Sequence, residues 1–320
     1  RVEAARERHG AVSQAKTEKR SGTGHVGNFI FIGLLYACGI ATLRRMAIWL
    51  QVERLRLRAA LCGMGGMVGA LALAVPAGAQ VSSAPTAASA AVKKYTDCMA
   101  LARSNPKKAI GIAAAWERSG GEEGSRHCSA VALLNNGAYA EAARRLESLA
   151  ATSRRPGKRL KAELLAQAGQ AWLIAGRTTE ALSAQTRALA LAGPRIELLL
   201  DRAITHASIG EYWEAIDDLN QAVDQDSKRV DALVFRATAW RKLKNLDLAQ
   251  DDITRAVELA PGNVDALLER GNIASLRGDD AAAAADWNQV ILLEAKSPAA
   301  DAARDNLAKQ KASAKKPAKK

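Results

Sequence analysis

A 34-residue period restricts the folds open to this 320-residue chain more than any other feature of its sequence. Four short segments align without gaps, and the alanines that end them follow one another at this period: Ala181, Ala215, Ala249 and Ala283. A fifth copy ends at Ala142, further than one period before Ala181 because the connection around residues 153–158 is longer. Such a period is typical of repeat proteins, in which each unit buries its apolar face against its neighbours.

Two small-residue positions recur in every copy, and together they resemble the signature of the tetratricopeptide repeat, a helix–turn–helix unit of this length. One position opens the second helix, at the alanines given above. The other lies on the first helix, at Ala130, Gly169, Ala203, Ala237 and Gly271. Small side chains at both positions let the paired helices approach closely. The resemblance covers residues 123–297 and implies an all-α fold, a right-handed α-solenoid of five repeats. Lys244 departs from it by replacing a turn glycine.

Both flanks of the repeats are predicted to carry further helices. Residues 93–122 favour an N-terminal helix pair, and residues 298–310 favour a polar capping helix that begins with Ser297 as its N-cap. Residues 80–92 are small and indicate a flexible linker, and the lysine-rich residues 311–320 are predicted to be disordered.

Residues 46–79 match the three-part pattern of a bacterial secretory signal peptide. Three arginines between 54 and 58 precede an apolar stretch at 61–75, and an Ala-Gly-Ala triplet stands directly before Gln80. A buried helix is the alternative, but four glycines between 63 and 69 disfavour it. The pattern therefore predicts an exported, periplasmic protein.

Residues 1–45 form an upstream extension that begins at Arg1 rather than at a methionine. Its apolar run at 29–43 is shorter than the roughly 20 residues that a transmembrane helix needs. Two interpretations stay open: a non-native extension, or a weak inner-membrane anchor facing the periplasm. Contact with a membrane is expected only if residues 26–43 are retained.

The formal net charge of +13 is concentrated outside the repeats. Residues 80–308 hold 29 basic and 29 acidic residues, so no specific nucleic-acid partner is expected. Within this neutral body, residues 93–200 have a net charge of +8 and residues 201–308 a net charge of −8. Because a solenoid keeps sequence order along its length, the two ends are predicted to carry opposite charge.

A second set of positions recurs with the same period, and it carries charge. First helices share Arg202, Arg236 and Arg270, and second helices share Asp218, Asp252 and Asp286. Phosphate or metal binding is one interpretation, but aspartates without a glycine loop do not resemble a Ca²⁺ site. Two antiparallel helices of the same or the adjacent repeat would bring each pair together. We therefore predict structural ion pairs, which add register specificity more than stability, and no metal.

Cys98 and Cys128 are the two cysteines that follow the predicted cleavage site. On neighbouring helices in an oxidising periplasm they predict a disulfide. A His127–Cys128 nucleophile or metal pair is disfavoured, because adjacent residues of a helix do not face each other. The sequence contains no HExxH, GxSxG, phosphate-loop or CxxC motif, so we expect a non-enzymatic protein without a cofactor.

The resemblance also implies a binding surface, because tetratricopeptide arrays line a concave groove with their first helices. The implied positions are Glu163, Gln170, Leu173, Ile174, Glu197, Leu200, Ile204, Asp231, Val234, Thr238, Arg241, Asp265, Leu268 and Asn272. A lining that is apolar at its centre and polar at its edges suits a peptide or a partner helix. We expect an exported protein-interaction scaffold; the alternative is an accessory or regulatory subunit of a periplasmic or envelope enzyme complex.

One ligand class is not expected in this groove. Asp201 and Glu269 stand at the positions where a clamp for a C-terminal carboxylate needs hydrogen-bond donors. Carboxylates at those positions repel such a ligand.

Overall fold

The computed structural model describes residues 87–153 and 157–314, and within them the chain forms helices and no strand. These residues fall into two compact units, 87–153 and 157–314. The predicted upstream extension, the predicted signal peptide, residues 80–86 of the predicted linker and the lysine-rich tail beyond residue 314 lie outside the described residues.

The first unit contains four helices in its described residues. They are α1 (Ala87–Ser104), α2 (Pro106–Arg118), α3 (Glu122–Asn135) and α4 (Tyr139–Thr152). Helix α1 begins inside the predicted linker, because the alanine-rich residues 87–92 have a high helix propensity. Asn105 caps α2, since its side chain accepts a hydrogen bond of 3.1 Å from the Lys108 amide and a proline follows it.

A disulfide ties the helices of the first unit together. Cys98 on α1 is bonded to Cys128 on α3, 30 residues away in sequence. Both cysteines are buried among alanines of α1, α2 and α3. The predicted cysteine pair is therefore bonded in the structure.

The second unit contains nine helices in its described residues. They are α5 (Lys158–Ile174), α6 (Thr178–Ala192), α7 (Ile196–Ser208), α8 (Tyr212–Gln225), α9 (Val230–Lys242), α10 (Leu246–Leu259), α11 (Val264–Arg277), α12 (Asp280–Leu293) and α13 (Pro298–Ala314). Each of α5, α7, α9 and α11 pairs with the helix that follows it, and α13 packs against α11 and α12. Helix α13 continues to Ala314, past the end predicted at residue 310.

The turns between paired helices share one conformation. Gly137, Gly176, Gly210 and Gly278 have φ between +75° and +85°, and Lys244 has φ +60° at the equivalent position. The backbone N–H of the following residue donates a hydrogen bond to a carbonyl of the first helix, as Arg177 N does to Trp172 O at 2.9 Å. A left-handed residue is thus required at this place, and Lys244 adopts it despite its side chain.

Small residues bring the paired helices together. Ala203 and Ala237 are buried, and Leu219 and Ile253 stand at the repeat positions that face them. Where glycine takes this place, the facing side chain lies closer: a Cβ at Gly271 would be 2.7 Å from Trp287 Nε1. The first-helix position is therefore small for the packing reason that the sequence predicts.

No helix among the described residues is both long enough and apolar enough to span a lipid bilayer.

Candidate protein-binding groove

The first helices of the second unit form the inner side of its curve. Helices α5, α7, α9, α11 and α13 contact one another in succession. Among the described residues, the second helices α6, α8, α10 and α12 have no comparable contact with each other. Helices that converge in this way lie on the shorter side of a solenoid. This contact pattern is the one expected if the first helices line the concave side, where the repeat positions predict the groove.

The apolar groove residues divide into buried and accessible ones. Leu200 and Val234 keep only 5% and 7% of their surface exposed and belong to the core. Leu173, Ile204 and Leu268 are half-buried, and so is Ile174. An incoming partner can therefore contact the second group, whereas the first group supports the helices from within.

The polar groove residues pair across successive repeats. Gln170 Nε2 on α5 donates to Asp201 Oδ2 on α7 at 2.8 Å. Arg241 on α9 donates to both carboxylate oxygens of Glu269 on α11, at 2.5 and 3.0 Å. Glu269 is 6% exposed, so the pair is largely shielded from water. These bonds hold neighbouring first helices at a fixed spacing.

Asn272 extends this network towards the last helix. Its side-chain oxygen accepts from Trp287 Nε1 at 3.2 Å and from Asn306 Nδ2 at 2.8 Å, and its amide donates to Glu269 at 3.2 Å. One asparagine thus links α11 to α12 and to the capping helix α13. Its side-chain oxygen and one of its two N–H groups are used within the chain, so the side chain is held in place.

The remaining polar groove positions bond within or near their own repeat. Glu163 pairs with Arg159 at 3.2 Å, and the Thr238 hydroxyl donates to the Val234 carbonyl at 3.0 Å. Arg229 joins Asp231 at 2.7 Å to Glu197 at 3.5 Å. One arginine therefore faces two carboxylates in this part of the groove, which keeps a net negative charge.

Asp265, at the α11 end of the groove, lacks even such a shared arginine. It occupies the same repeat position as Glu197 and Asp231, but Asn263 stands where Arg229 stands one repeat earlier. Burial, together with the neighbouring negative charge of Glu294, raises the pKa of Asp265 above its ordinary value. This carboxylate makes no ion pair with any described residue.

The charged positions that recur once per repeat form a ladder of ion pairs within single repeats. Each arginine binds both carboxylate oxygens of its aspartate on the paired helix, at 2.6–2.8 Å: Arg202–Asp218, Arg236–Asp252 and Arg270–Asp286. Hydrogen bonding to the aspartate raises the pKa of Arg202 and of Arg270. The aspartates are buried, so the carboxylate side of each pair is shielded from water.

Two of these arginines also reach the preceding repeat. Arg202 donates to Thr186 on α6 at 3.3 Å, and Arg236 donates to Asn220 on α8 at 3.0 Å. Each of them therefore joins three helices, which fixes the register of adjacent repeats. Among the described residues, no group of three or more histidine, cysteine or acidic side chains is arranged to hold a metal ion.

Sequence reasoning missed the acceptors that organise the groove. Asp201 and Glu269 are predicted only to exclude a carboxylate clamp, yet they accept hydrogen bonds from Gln170 and Arg241. The signal was their position on the neighbouring first helix, 31 and 28 residues after the donors. Trp287 and Asn306 were missed because they reach the groove from a second helix and from the capping helix.

Comparison with known families finds one match. Residues 200–263 and 241–302 match the family model described as tetratricopeptide repeat, so this part of the chain consists of such repeats. The predicted all-α solenoid of tetratricopeptide repeats is confirmed. A comparison with curated proteins found no match.

Three solved structures are among those to which this chain is similar. A tetratricopeptide repeat protein from Parabacteroides merdae ATCC 43184 is 22% identical, with a TM-score of 0.47 over 57% of this chain and 73% of that one. MamA from Desulfovibrio magneticus RS-1 is 21% identical, with a TM-score of 0.46 over 52% and 92%. YrrB, described as a TPR protein with an unusual peptide-binding site, is 16% identical, with a TM-score of 0.44 over 60% and 96%.

Proposed function

We propose that this protein is an exported, non-enzymatic scaffold that holds a peptide or partner helix in the concave groove of residues 158–314. The observation that carries the proposal is the row of half-buried apolar side chains on the inner helices, Leu173, Ile204 and Leu268. They are accessible from the groove and stand on three different repeats. A segment lying along the groove would therefore bury apolar surface at several points.

The polar groups around these anchors favour a preformed site. Gln170, Arg241 and Asn272 are held by bonds to neighbouring helices, so they lose little further freedom when a partner binds. Preorganisation of this kind lowers the ordering cost of association. We infer that these residues set the shape of the groove and that the apolar anchors supply most of the affinity.

The charge at the α11 end favours a partner with a basic residue there. Asp265 lacks an arginine, and its neighbour Glu294 is also acidic. A lysine or arginine of the partner would stabilise the ionised form of Asp265 and lower its pKa. Binding should then release a proton in the pH range where Asp265 titrates, and affinity should rise as the pH rises through that range.

Site-specific photo-crosslinking tests the groove. A benzoyl-phenylalanine at position 204 should yield discrete cross-linked products in the cell envelope, whereas the same residue at Gln221, on the exposed side of α8, should yield none. Ile204→Asp should weaken binding of the captured partner by several kcal/mol through a desolvated charge, roughly as transfer data indicate. Products from position 221 alone would place the binding site elsewhere. Ile204→Ala replaces the aspartate variant if that variant loses helicity.

Export is supported by the signal-peptide pattern and by the Cys98–Cys128 bond, because disulfides persist in oxidising compartments. The mass of the protein isolated from cells should correspond to a chain that begins at Gln80. Thiol alkylation without reductant should leave it unmodified. A chain that keeps residues 26–43 in the membrane fraction would instead support the anchored form.

A further inference from the structure

One aromatic position of the repeats is vacant in the last repeat. Trp172, His206 and Trp240 occupy it in three successive repeats, and the two tryptophans are 4% and 2% exposed. At the same position of the next repeat stands Ala274. Ala274 is 9% exposed and too small to fill the space that a buried ring fills in the neighbouring repeats.

A cleft of about 360 Å³ opens at this place. It lies between α10, α11 and α12 and is lined by Gln250, Arg270, Ala274, Arg277, Asp279, Ala282, Ala285 and Asp286. At about 100° per residue, Ala274 and Arg277 lie on the face of α11 opposite to Leu268 and Asn272. The cleft is thus separate from the groove, and its occupancy does not depend on the proposed groove function.

The preceding junction shows what such a cleft accommodates. There Trp240 packs edge-on against Trp213, with ring centroids 5.6 Å apart, and Ile216 is fully buried beside them. One repeat later, Asp247 and Gln250 stand in place of Trp213 and Ile216. The cleft therefore lies at the place where the preceding repeat packs its two tryptophan rings, but smaller or polar residues stand here instead.

Two arginines border the cleft and are held in place by carboxylates. Asp286 binds Arg270 through two hydrogen bonds of 2.6 and 2.8 Å, and Asp247 pairs with Arg277 at 2.8 Å. A guanidinium whose edge is occupied in this way still offers its flat face, which stacks on aromatic rings. Ala274, Ala282 and Ala285 add an apolar surface between them.

We propose that this cleft binds an aromatic side chain, tryptophan or tyrosine, of a partner protein. The ring would lie over the three alanines with its face against a guanidinium. In the described part of this chain, no tryptophan, tyrosine or phenylalanine is among the exposed large apolar side chains, so a second copy offers no ring from those residues. We therefore assign the ring to a different protein rather than to the described residues of a second copy.

Saturation-transfer NMR on the full chain tests the cleft with N-acetyl-tryptophanamide as the probe and N-acetyl-leucinamide as its aliphatic control. The tryptophan probe should receive saturation at its ring protons, and the leucine probe should receive little. Ala274→Trp introduces the tryptophan that the preceding repeat has at this position. The new ring should fill the cleft and abolish the saturation of the tryptophan probe. Ala190→Trp, at an exposed position of α6, is the matched control and should keep it.

If Ala274→Trp loses helicity, Ala282→Leu takes its place, because leucine stands at the equivalent position 248 of the preceding repeat. Loss of the ring signal in either folded cleft variant supports the proposal. An undiminished signal in a folded cleft variant, an equal response of the two probes, or no response in the unmodified chain overturns it.

Discussion

The second repeat and the three repeats that follow it use different residues at the interface between their two helices. In the third to fifth repeats, an arginine of the first helix binds an aspartate of the second helix. In the second repeat, the same two positions are Ala168 and Ala184, both fully buried. Gln185 replaces the large apolar residue found at this place in later repeats, and its amide donates to the Asp201 carbonyl at 3.1 Å.

The difference shows which positions of the repeat need a particular residue type and which accept alternatives. Every repeat of the second unit keeps alanine or glycine at the close contact, because helix separation depends on it. The adjacent positions accept either two alanines or a paired arginine and aspartate. An ion pair at such a site is weak evidence for stability but a strong constraint on register, since only one alignment satisfies both charges.

Breaking one pair of the ladder should have the largest effect. Asp252→Ala leaves Arg236 without its carboxylate in a site where its side chain is 16% exposed. We expect the free energy of unfolding to fall by about 2–3 kcal/mol, somewhat less than for a fully buried pair. Urea unfolding followed by circular dichroism measures it.

The double variant Arg236→Ala/Asp252→Ala tests the comparison directly, because it copies Ala168 and Ala184 into the fourth repeat. It should be more stable than Asp252→Ala alone, since no unpaired charge stays in the interior. A double variant that is less stable than the single variant would mean that the arginine stem contributes packing beyond its charge.

Much of the fold follows from the sequence because the repeat imposes residue types that few other structures need. Three features of the sequence each indicate one structural cause. They are alanine or glycine at the helix contact, a left-handed residue in the turn, and complementary charges on paired helices. Helices α1 and α13 extend further than the sequence predicts, since alanine and lysine stretches favour both linkers and helices.

The groove was less predictable than the fold. A repeat position identifies the face of a helix, but burial depends on how far the neighbouring helix covers it. Leu200 and Val234 are covered, while Ile204 keeps accessible surface. The bonds from Gln170 to Asp201 and from Arg241 to Glu269 depend on the spacing between repeats, which the sequence of one repeat does not contain.

Gly271→Ala should have the next largest effect, because a new Cβ would lie 2.7 Å from Trp287 Nε1 and 3.2 Å from the Ala283 carbonyl. Overpacking of this kind costs about 2 kcal/mol. The melting temperature should fall in the single variant. Gly271→Ala combined with Trp287→Leu rebuilds the Ala203–Leu219 contact of the third repeat and should recover part of the loss. A Gly271→Ala protein as stable as the wild type would contradict the close contact.

Lys244→Gly should stabilise the protein by a smaller amount. Lys244 has φ +60°, where the Cβ of a lysine clashes and glycine does not. Relief of that strain, reduced by the greater chain entropy of glycine in the unfolded state, leaves a gain of about 0.5–1 kcal/mol. Gly210→Ala, at φ +85° in the preceding repeat, should show the opposite sign in the same urea titration. Equal shifts in one direction would remove backbone strain as the explanation.

The smallest effect concerns the acidic position at the start of the first helices. Burial and Glu294 raise the pKa of Asp265, so the folded protein holds this proton more tightly than the unfolded chain does. The resulting stability is present below the ordinary carboxyl pKa and is lost as the pH rises through the raised value. Asp265→Asn should therefore stabilise the protein at neutral pH and make no difference in acid. Asp231→Asn, one repeat earlier, removes the partner of Arg229 and should destabilise the protein at neutral pH. Thermal unfolding across this pH range compares the two variants. If Asp231→Asn stabilised the protein, or if the effect of Asp265→Asn did not depend on pH, Arg229 would not be the reason why these two carboxylates behave differently.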